Sequence, residues 1–354
     1  MSQSKREPKA RVAEDHADGE SDGLEPLRPV DLTAATTVDE LVQQMSCTAF
    51  GGRQLGEAAD VLHAMVADPD CFVVGTFSGA MTVAKQGLLI CEMIDRGMIQ
   101  AVVSTGALIC HGLVENFGMQ HFKHRPGMDD RELYYKGYDR VYDTLELEQN
   151  LDDTEAIVDR VLGSLPDDRS LGSREVCEQL GRHLVEQNLG RGILSAALER
   201  GVPVYIPAFT DCELGLDFAV HNRRRNHEGR APLRFEPFRD LDHYTETIAA
   251  QRRTGIFTIG GGVPRNWAQQ VGPFLDILEK RMGRSEGKLA RFRYGVRICP
   301  EPVHWGGLSG CTYSEGVSWG KFVPEAEGGR YAEVLCDATI AWPVLLKAVI
   351  ERLG

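Results

Sequence analysis

Apolar residues recur along the chain in two textures, at three-to-four spacing and in short consecutive runs, which predicts helices alternating with short buried strands. Thr37 and Glu40 have the spacing of a capping box ahead of Leu41, Val42 and Met45, so a helix is expected to begin at Thr37. Leu55, Ala58, Leu62 and Met65 share one face of a second helix from about Gln54. From Cys71 the pattern becomes strand, glycine turn and helix. Cys71 to Val74 reads as a buried strand, Gly75-Thr76-Phe77-Ser78-Gly79 as a turn, and Thr82 to Arg96 as a helix closed by Gly97. Ala101 to Val103 is the next strand, with Thr105-Gly106-Ala107 leading into another helix.

His121 to about Asp153 is polar and rich in Arg, Tyr and Asp, and is expected to be an irregular insertion or an oligomer contact. Helical spacing returns at about Thr154 to Leu162, at Arg174 to Asn188 and from near Ile193 to Gly201. Val202 to Ile206 is then a strand that delivers Thr210-Asp211-Cys212-Glu213 at its carboxyl end. Further strands are expected at Arg234 to Pro237, Gly255 to Ile259, Tyr294 to Ile298 and Glu333 to Cys336, with helices beginning near Leu241 and Pro264 and a closing helix through Leu345, Leu346, Val349 and Leu353. Strands separated by helices at this rhythm predict an α/β fold with a parallel sheet and covering helices.

Composition narrows the classes. With 354 residues, 42% hydrophobic and 26% charged, the chain has ample material for a core. Residues 1 to about 29 carry almost no large apolar side chains and are expected to form a disordered tail, leaving 30–354 as the folded part. The formal net charge of -13 disfavours nucleic acid and anionic membranes as partners and attracts polycations such as polyamines. The N-terminus is polar and no run is long enough to cross a bilayer. Nine scattered cysteines with no C-x-x-C pair fit reduced thiols in the cytoplasm, and no zinc site is suggested. His121-Phe122-Lys123-His124 is read as a surface pair, because no carboxylate or cysteine neighbours it in sequence.

Three stretches could carry chemistry. Gly260-Gly261-Gly262 lies between a strand and a helix start, where backbone N–H groups could cradle a phosphate, although a close-packed turn would use the same residues. The turns at Ser78-Gly79 and Thr105-Gly106 are of the same kind, and neither matches the G-x-G-x-x-G fingerprint. Tyr313 to Lys321 sets a carboxylate, an indole and an amine within nine residues: Glu315 and Trp319 suit an alkylammonium ion, and Lys321 could form an imine if burial lowers its pKa.

Glu315 through Lys321 resembles the active-site segment of deoxyhypusine synthases. So do the glycine run, Thr210-Asp211 after Pro207-Ala208-Phe209, Ser104-Thr105-Gly106-Ala107 and Asp337-Ala338-Thr339, in the same order over roughly Thr37 to Leu353. The resemblance implies a Rossmann-like fold that binds NAD, with contacts at Ser78, Thr82, Thr105, Gly106, Asp211, Gly261, Gly306, Ser309, Asp337 and Ala338. It implies Lys321 as the acceptor of an aminobutyl group from spermidine, Glu315 and Trp319 as holders of the polyamine, and a homotetramer with active sites at a dimer interface. Asp211 and Asp337 have an alternative as turn or helix-cap residues. This chain also departs from the family: a histidine is replaced by Asn266, an asparagine by Gln270, and two substrate-binding aspartates by Leu216 and Leu308. The loss of those acids turns the expected acceptor towards a small polyamine, as in homospermidine formation. True deoxyhypusine synthesis and an NAD-binding scaffold without turnover are the alternatives.

Overall fold

The first residues to form regular structure are those of the capping box. Thr37 Oγ1 accepts from the Glu40 N–H at 3.1 Å and the Glu40 carboxylate accepts in return from the Thr37 N–H, opening α1 (Val38–Ser46). The computed structural model describes residues 12–13, 16–167, 169–283 and 290–354. Part of the tail expected to be disordered, 1–11 and 14–15, lies outside the described residues, and 16–29 form no helix or strand.

Helix α2 (Phe50–Val66) starts before Gln54, because Gly51 and Gly52 weaken the helical signal without preventing the helix. Strand β1 (Cys71–Phe77) continues through Gly75. Helix α3 (Gly87–Asp95) begins five residues later than Thr82: Lys85 sits at φ +61° within tight turns in which the Lys85 N–H donates to Thr82 O and the Gln86 N–H to Met81 O. Strand β2 (Ala101–Ser104) and helix α4 (Gly106–Asn116) follow as expected, with Thr105 at the helix cap.

The polar stretch that follows is more regular than its composition suggests. β3 (Phe122–Lys123), α5 (Asp130–Tyr135), β4 (Tyr138–Val141) and β5 (Thr144–Leu147) form a three-stranded antiparallel sheet of order β3-β5-β4. Charged residues in these short strands conceal the alternation, and Tyr142 at φ +52° makes the turn. His121, expected on the surface, has no exposed side-chain area and lies beside Glu146 of β5, a carboxylate 25 residues away in sequence.

Helix α6 (Glu148–Gly163) follows and packs against the helix at Glu213–His227. β6 (Ser170–Leu171) leads to α7 (Ser173–Glu186), α8 (Ile193–Arg200) and β7 (Val204–Tyr205). Then come α9 (Glu213–His227), β8 (Arg234–Phe235) and α10 (Phe238–Ala249). β8 does not join the main sheet; it pairs in parallel with β6. The remainder is β9 (Arg253–Ile259), α11 (Gly262–Gln269), α12 (Val271–Met282), β10 (Tyr294–Ile298), α13 (Tyr313–Ser318), β11 (Arg330–Val334) and α14 (Ala338–Leu353). The last strand lies a few residues before the span expected for it.

Six strands form one wholly parallel sheet of order β11-β10-β9-β1-β2-β7. Numbered within the sheet alone, the order is 3-2-1-4-5-6 read from β7, the order of a doubly wound dinucleotide-type fold. The chain winds outward from β1 to β7 and then returns to β9, so strand order reverses between β1 and β9. Alternate strand residues feed two cores. Val73, Phe77, Val102 and Phe257 pack on one face, with α2 and α14, and Val74, Val103 and Ile256 on the other, with Tyr244 of α10 and Ala268 of α11. Among the described residues no helix is long and apolar enough to cross a membrane, and all nine cysteines are free.

Candidate active site

Because all six strands run the same way, their carboxyl ends share one edge, and most of the predicted cofactor residues fall there. Ser78 follows β1, Thr105 and Gly106 follow β2, Asp211 follows β7, Gly261 follows β9, and Asp337 and Ala338 follow β11. Gly306 and Ser309 lie in the connection after β10, in and beside the 3-10 turns Val303–Trp305 and Leu308–Gly310. The point where strand order reverses is bounded by Ser78 on one side and Gly260-Gly261-Gly262 on the other, and the Ser78 hydroxyl donates to the Gly261 carbonyl.

The glycines are needed for different reasons. Gly260 and Gly262 have φ of +75° and +59°, in the left-handed region. Gly261 does not; there a Cβ would stand 2.6 Å from the Cα of Ser309, so a side chain is excluded by close approach of the loop. At Gly106 a Cβ would collide with the Cys212 side chain, which ties the start of α4 to the segment after Asp211.

Thr82 is the predicted residue that does not reach this edge. It is buried, and its hydroxyl donates to Leu108 O at 2.8 Å. Asp337 caps α14, its Oδ1 accepting from the Thr339 N–H at 2.7 Å and the Thr339 hydroxyl at 2.9 Å, which is the alternative left open for it. Asp211 is exposed on its turn.

The predicted polyamine residues, Glu315 and Trp319, line a cleft of about 320 Å³ that adjoins the cofactor edge at Gly306, together with Asn266, Gln270, Gly307, Leu308, Cys311 and Lys321. Thr312 caps α13 by accepting from the Glu315 N–H at 3.1 Å, which places Glu315 in the first helical turn. The helix stops at Trp319, and Gly320 at φ +72° reverses the chain so that Lys321 turns back into the protein. The Lys321 N–H then donates to Gly316 O.

Lys321 is buried, and its ammonium donates to Asn266 Oδ1 at 3.0 Å. Its pKa is lowered, first by burial and then by the charge of Arg265, against opposing influences from Cys311 and Glu315. Trp319 does not provide that burial. Its ring centroid is 6.0 Å from Nζ, yet the residue is 64% exposed, so it forms the outer wall.

Three of the four departures gather around this amine. Asn266 is its direct partner, and Gln270 and Leu308 line the same cleft. Leu216 lies outside it, exposed on α9. Sequence reasoning missed Arg265, which is fully buried, stands 5.2 Å from the Tyr313 ring centroid and donates through Nη1 to Cys311 O at 2.7 Å. An arginine in the first turn of a helix ordinarily reads as solvent-exposed, so nothing in the sequence distinguished it. Arg297, paired with Glu333 at 2.6 Å, also donates to Cys311 O, so two guanidinium groups fix the floor of the cleft.

A family model of deoxyhypusine synthase matches residues 40–349. The chain is 31% identical over 327 residues to "Probable deoxyhypusine synthase 2" of Methanosarcina acetivorans, covering 92% of this chain and 90% of that one. It is 32% identical over 325 residues to the "Deoxyhypusine synthase-like protein" of Chlorobaculum parvum, covering 91% and 88%. A solved structure from Entamoeba histolytica, described provisionally as a deoxyhypusine synthase, superposes with a TM-score of 0.59 over 92% of this chain and 97% of that one; at 12% identity this likeness speaks for the fold alone.

Proposed function

The chain belongs to the deoxyhypusine synthase family, a family of transferases, and from that premise we propose that it moves a 4-aminobutyl group from spermidine or a related polyamine to an amine acceptor, with NAD as cofactor. The observation that carries this reading is the buried Lys321 amine, held by Asn266 in a cleft that also contains Glu315 and Trp319. An amine acts as a nucleophile only when unprotonated, and burial favours that form. Asn266 Oδ1 accepts from the amine and orients it without adding a charge. Glu315 supplies the counter-charge for a polyamine ammonium, and the face of Trp319 suits the same cation from outside.

NAD, when bound, takes up the hydride that turns the carbon beside a secondary amine into an electrophile, and later returns it. The crevice where strand order reverses fits such a group: left-handed glycines, the start of α11 and close backbone approach occur together there. Ser78, Thr105, Gly106, Gly261, Gly306, Ser309 and Ala338 would line it, with Asp211 and Asp337 available to ribose hydroxyls. Lys321 would then carry the butyl group as an imine until the acceptor amine displaces it.

The proposed acceptor is a small polyamine. Leu308 and Gln270 line the cleft, and Glu315 is the one carboxylate among its lining residues, a setting that suits a short amine with few ammonium groups. Residues 30–354 form the proposed catalytic part of a cytoplasmic homotetramer with active sites at a dimer interface; the outward-facing Trp319 supports completion of the cleft by a second copy. The test is mass spectrometry of products from purified protein given NAD, spermidine and either putrescine or the hypusine-carrying translation factor. A homospermidine-type product supports the reading. Modification of the factor alone would assign true deoxyhypusine synthesis, and no turnover would favour an NAD-binding scaffold.

A further inference from the structure

A cluster of side chains away from the lysine cleft has no part in the reaction above. His111 comes from α4, His121 from the loop before β3 and Glu146 from β5. The Glu146 and His121 side chains are essentially without exposed surface. Glu146 Oε2 lies against His111 Nδ1 and 3.1 Å from His121 Nε2, and one donor atom from each residue falls within 4.8 Å of the others. Glu146 Oε1 is buried with no hydrogen-bond partner.

Hydrogen bonding alone accounts poorly for this arrangement. Two imidazoles converge on one carboxylate oxygen while the other is buried without a donor, and unsatisfied buried polar atoms are costly. Two imidazoles and one carboxylate are, by contrast, the donor set of a borderline divalent ion, with positions to spare. We propose that His111, His121 and Glu146 bind a divalent first-row transition ion, with zinc as the representative, which fastens the β3-β5-β4 sheet to α4.

The surroundings supply the outer contacts such an ion needs. Lys85 Nζ stands 2.9 Å from His121 Nδ1 and is paired with Glu115, whose Oε1 is 3.6 Å from the same nitrogen. Without an ion the ammonium donates to Nδ1, so His121 carries its proton on Nε2 and donates to Glu146. With an ion the Nε2 lone pair faces the metal, the proton sits on Nδ1 towards Glu115, and Lys85 keeps its bond to Glu115; a carboxylate behind a metal-bound histidine is the common second layer of such sites. His111 changes in the same sense, with its proton on Nε2. Neutral imidazoles therefore bind by changing tautomer with no net proton release, and a protonated one releases a single proton.

The test uses the full chain expressed with added zinc and purified without chelators, with metal content measured by mass spectrometry. The expected result is about one ion per chain, as for a single three-ligand site. Chelation should lower the thermal midpoint and readdition restore it, and Co2+ added to the stripped protein should give visible absorption bands. Glu146→Gln and His121→Ala are expected to bring the metal content to background, whereas His63→Asn on α2 should leave it unchanged. Where a ligand variant fails to fold, reconstitution of the wild type decides alone. Wild type that takes up no zinc, cobalt or iron(II), or folded ligand variants that keep the full complement, would overturn the proposal and leave the cluster as a hydrogen-bonded relay from Lys85.

Discussion

At the scale of single residues, the proposed transfer depends on one amine, that of Lys321. Lys321→Arg keeps a positive charge but cannot act as a nucleophile at ordinary pH. It is expected to bind NAD, seen as a raised thermal midpoint, and to give no borohydride-trapped adduct from labelled spermidine, whereas wild type gives one that maps to Lys321. Full product formation by the variant would reduce Lys321 to a positioning charge. Glu315 acts on the same amine in the opposite sense, since its negative charge raises the pKa that burial lowers. Glu315→Gln should therefore move the acid limb of the rate profile to lower pH, because the free amine persists further down the scale. It should also raise KM for spermidine by roughly tenfold or more, the loss of a hydrogen bond to a charged group. An unmoved limb would mean that a group other than Lys321 sets the profile.

At the scale of elements, Gly106 makes the packing argument testable. A Cβ there overlaps the Cys212 side chain. Gly106→Ala should cost about 1–3 kcal/mol by overpacking, while in a Cys212→Ala background the same change should cost much less, a coupling that a double-mutant cycle of denaturation midpoints measures. Most elements were legible in the sequence because their signals are local: the Thr37–Glu40 box, the apolar face of α2, and the runs that became β1, β2, β9 and β10. Others depend on partners distant in sequence. β3, β4 and β5 are short and mix charged with apolar residues, and Glu146 is buried beside His111 and His121, which come from other elements, so composition suggests an irregular insertion with His121 on the surface. The start of α3 was misplaced for a backbone reason, since nothing in Thr82-Val83-Ala84-Lys85 announces that Lys85 turns left-handed. The site was legible as separate motifs. That three of the four departures meet around one amine, and that Arg265 lies beneath it, emerges only when the chain is folded.

At the scale of the whole molecule, stability should carry the signature of its buried acids. The Asp217 carboxyl is pushed up to about 7, chiefly by burial and further by Glu213 and Glu155. The folded chain thus holds a proton that the unfolded chain releases between about pH 4 and pH 7, so this group makes stability fall as pH rises through that window. Asp217→Asn should flatten the fall and raise the denaturation midpoint above pH 7. Glu146 has the opposite sign: although burial alone would raise its pKa, His111 and His121 hold it down to about 2, so its contribution is full above the ordinary glutamate range and is lost on acidification towards pH 2. Finally, two adjacent residues of one loop adjoin the two proposed sites. Leu308 lines the lysine cleft, and Ser309 is the residue whose backbone leaves no room for a side chain at Gly261. Under the proposed function, a shift of that loop on one side is expected to be felt on the other, which would make the nucleotide and the polyamine heterotropic effectors of each other. Thermodynamic reciprocity then requires one coupling factor: however much NAD tightens polyamine binding to the Lys321→Arg protein, which is expected not to complete the transfer, polyamine must tighten NAD by the same ratio. Titration calorimetry in both orders measures the two ratios, and a ratio of one in both would show that the loop does not transmit.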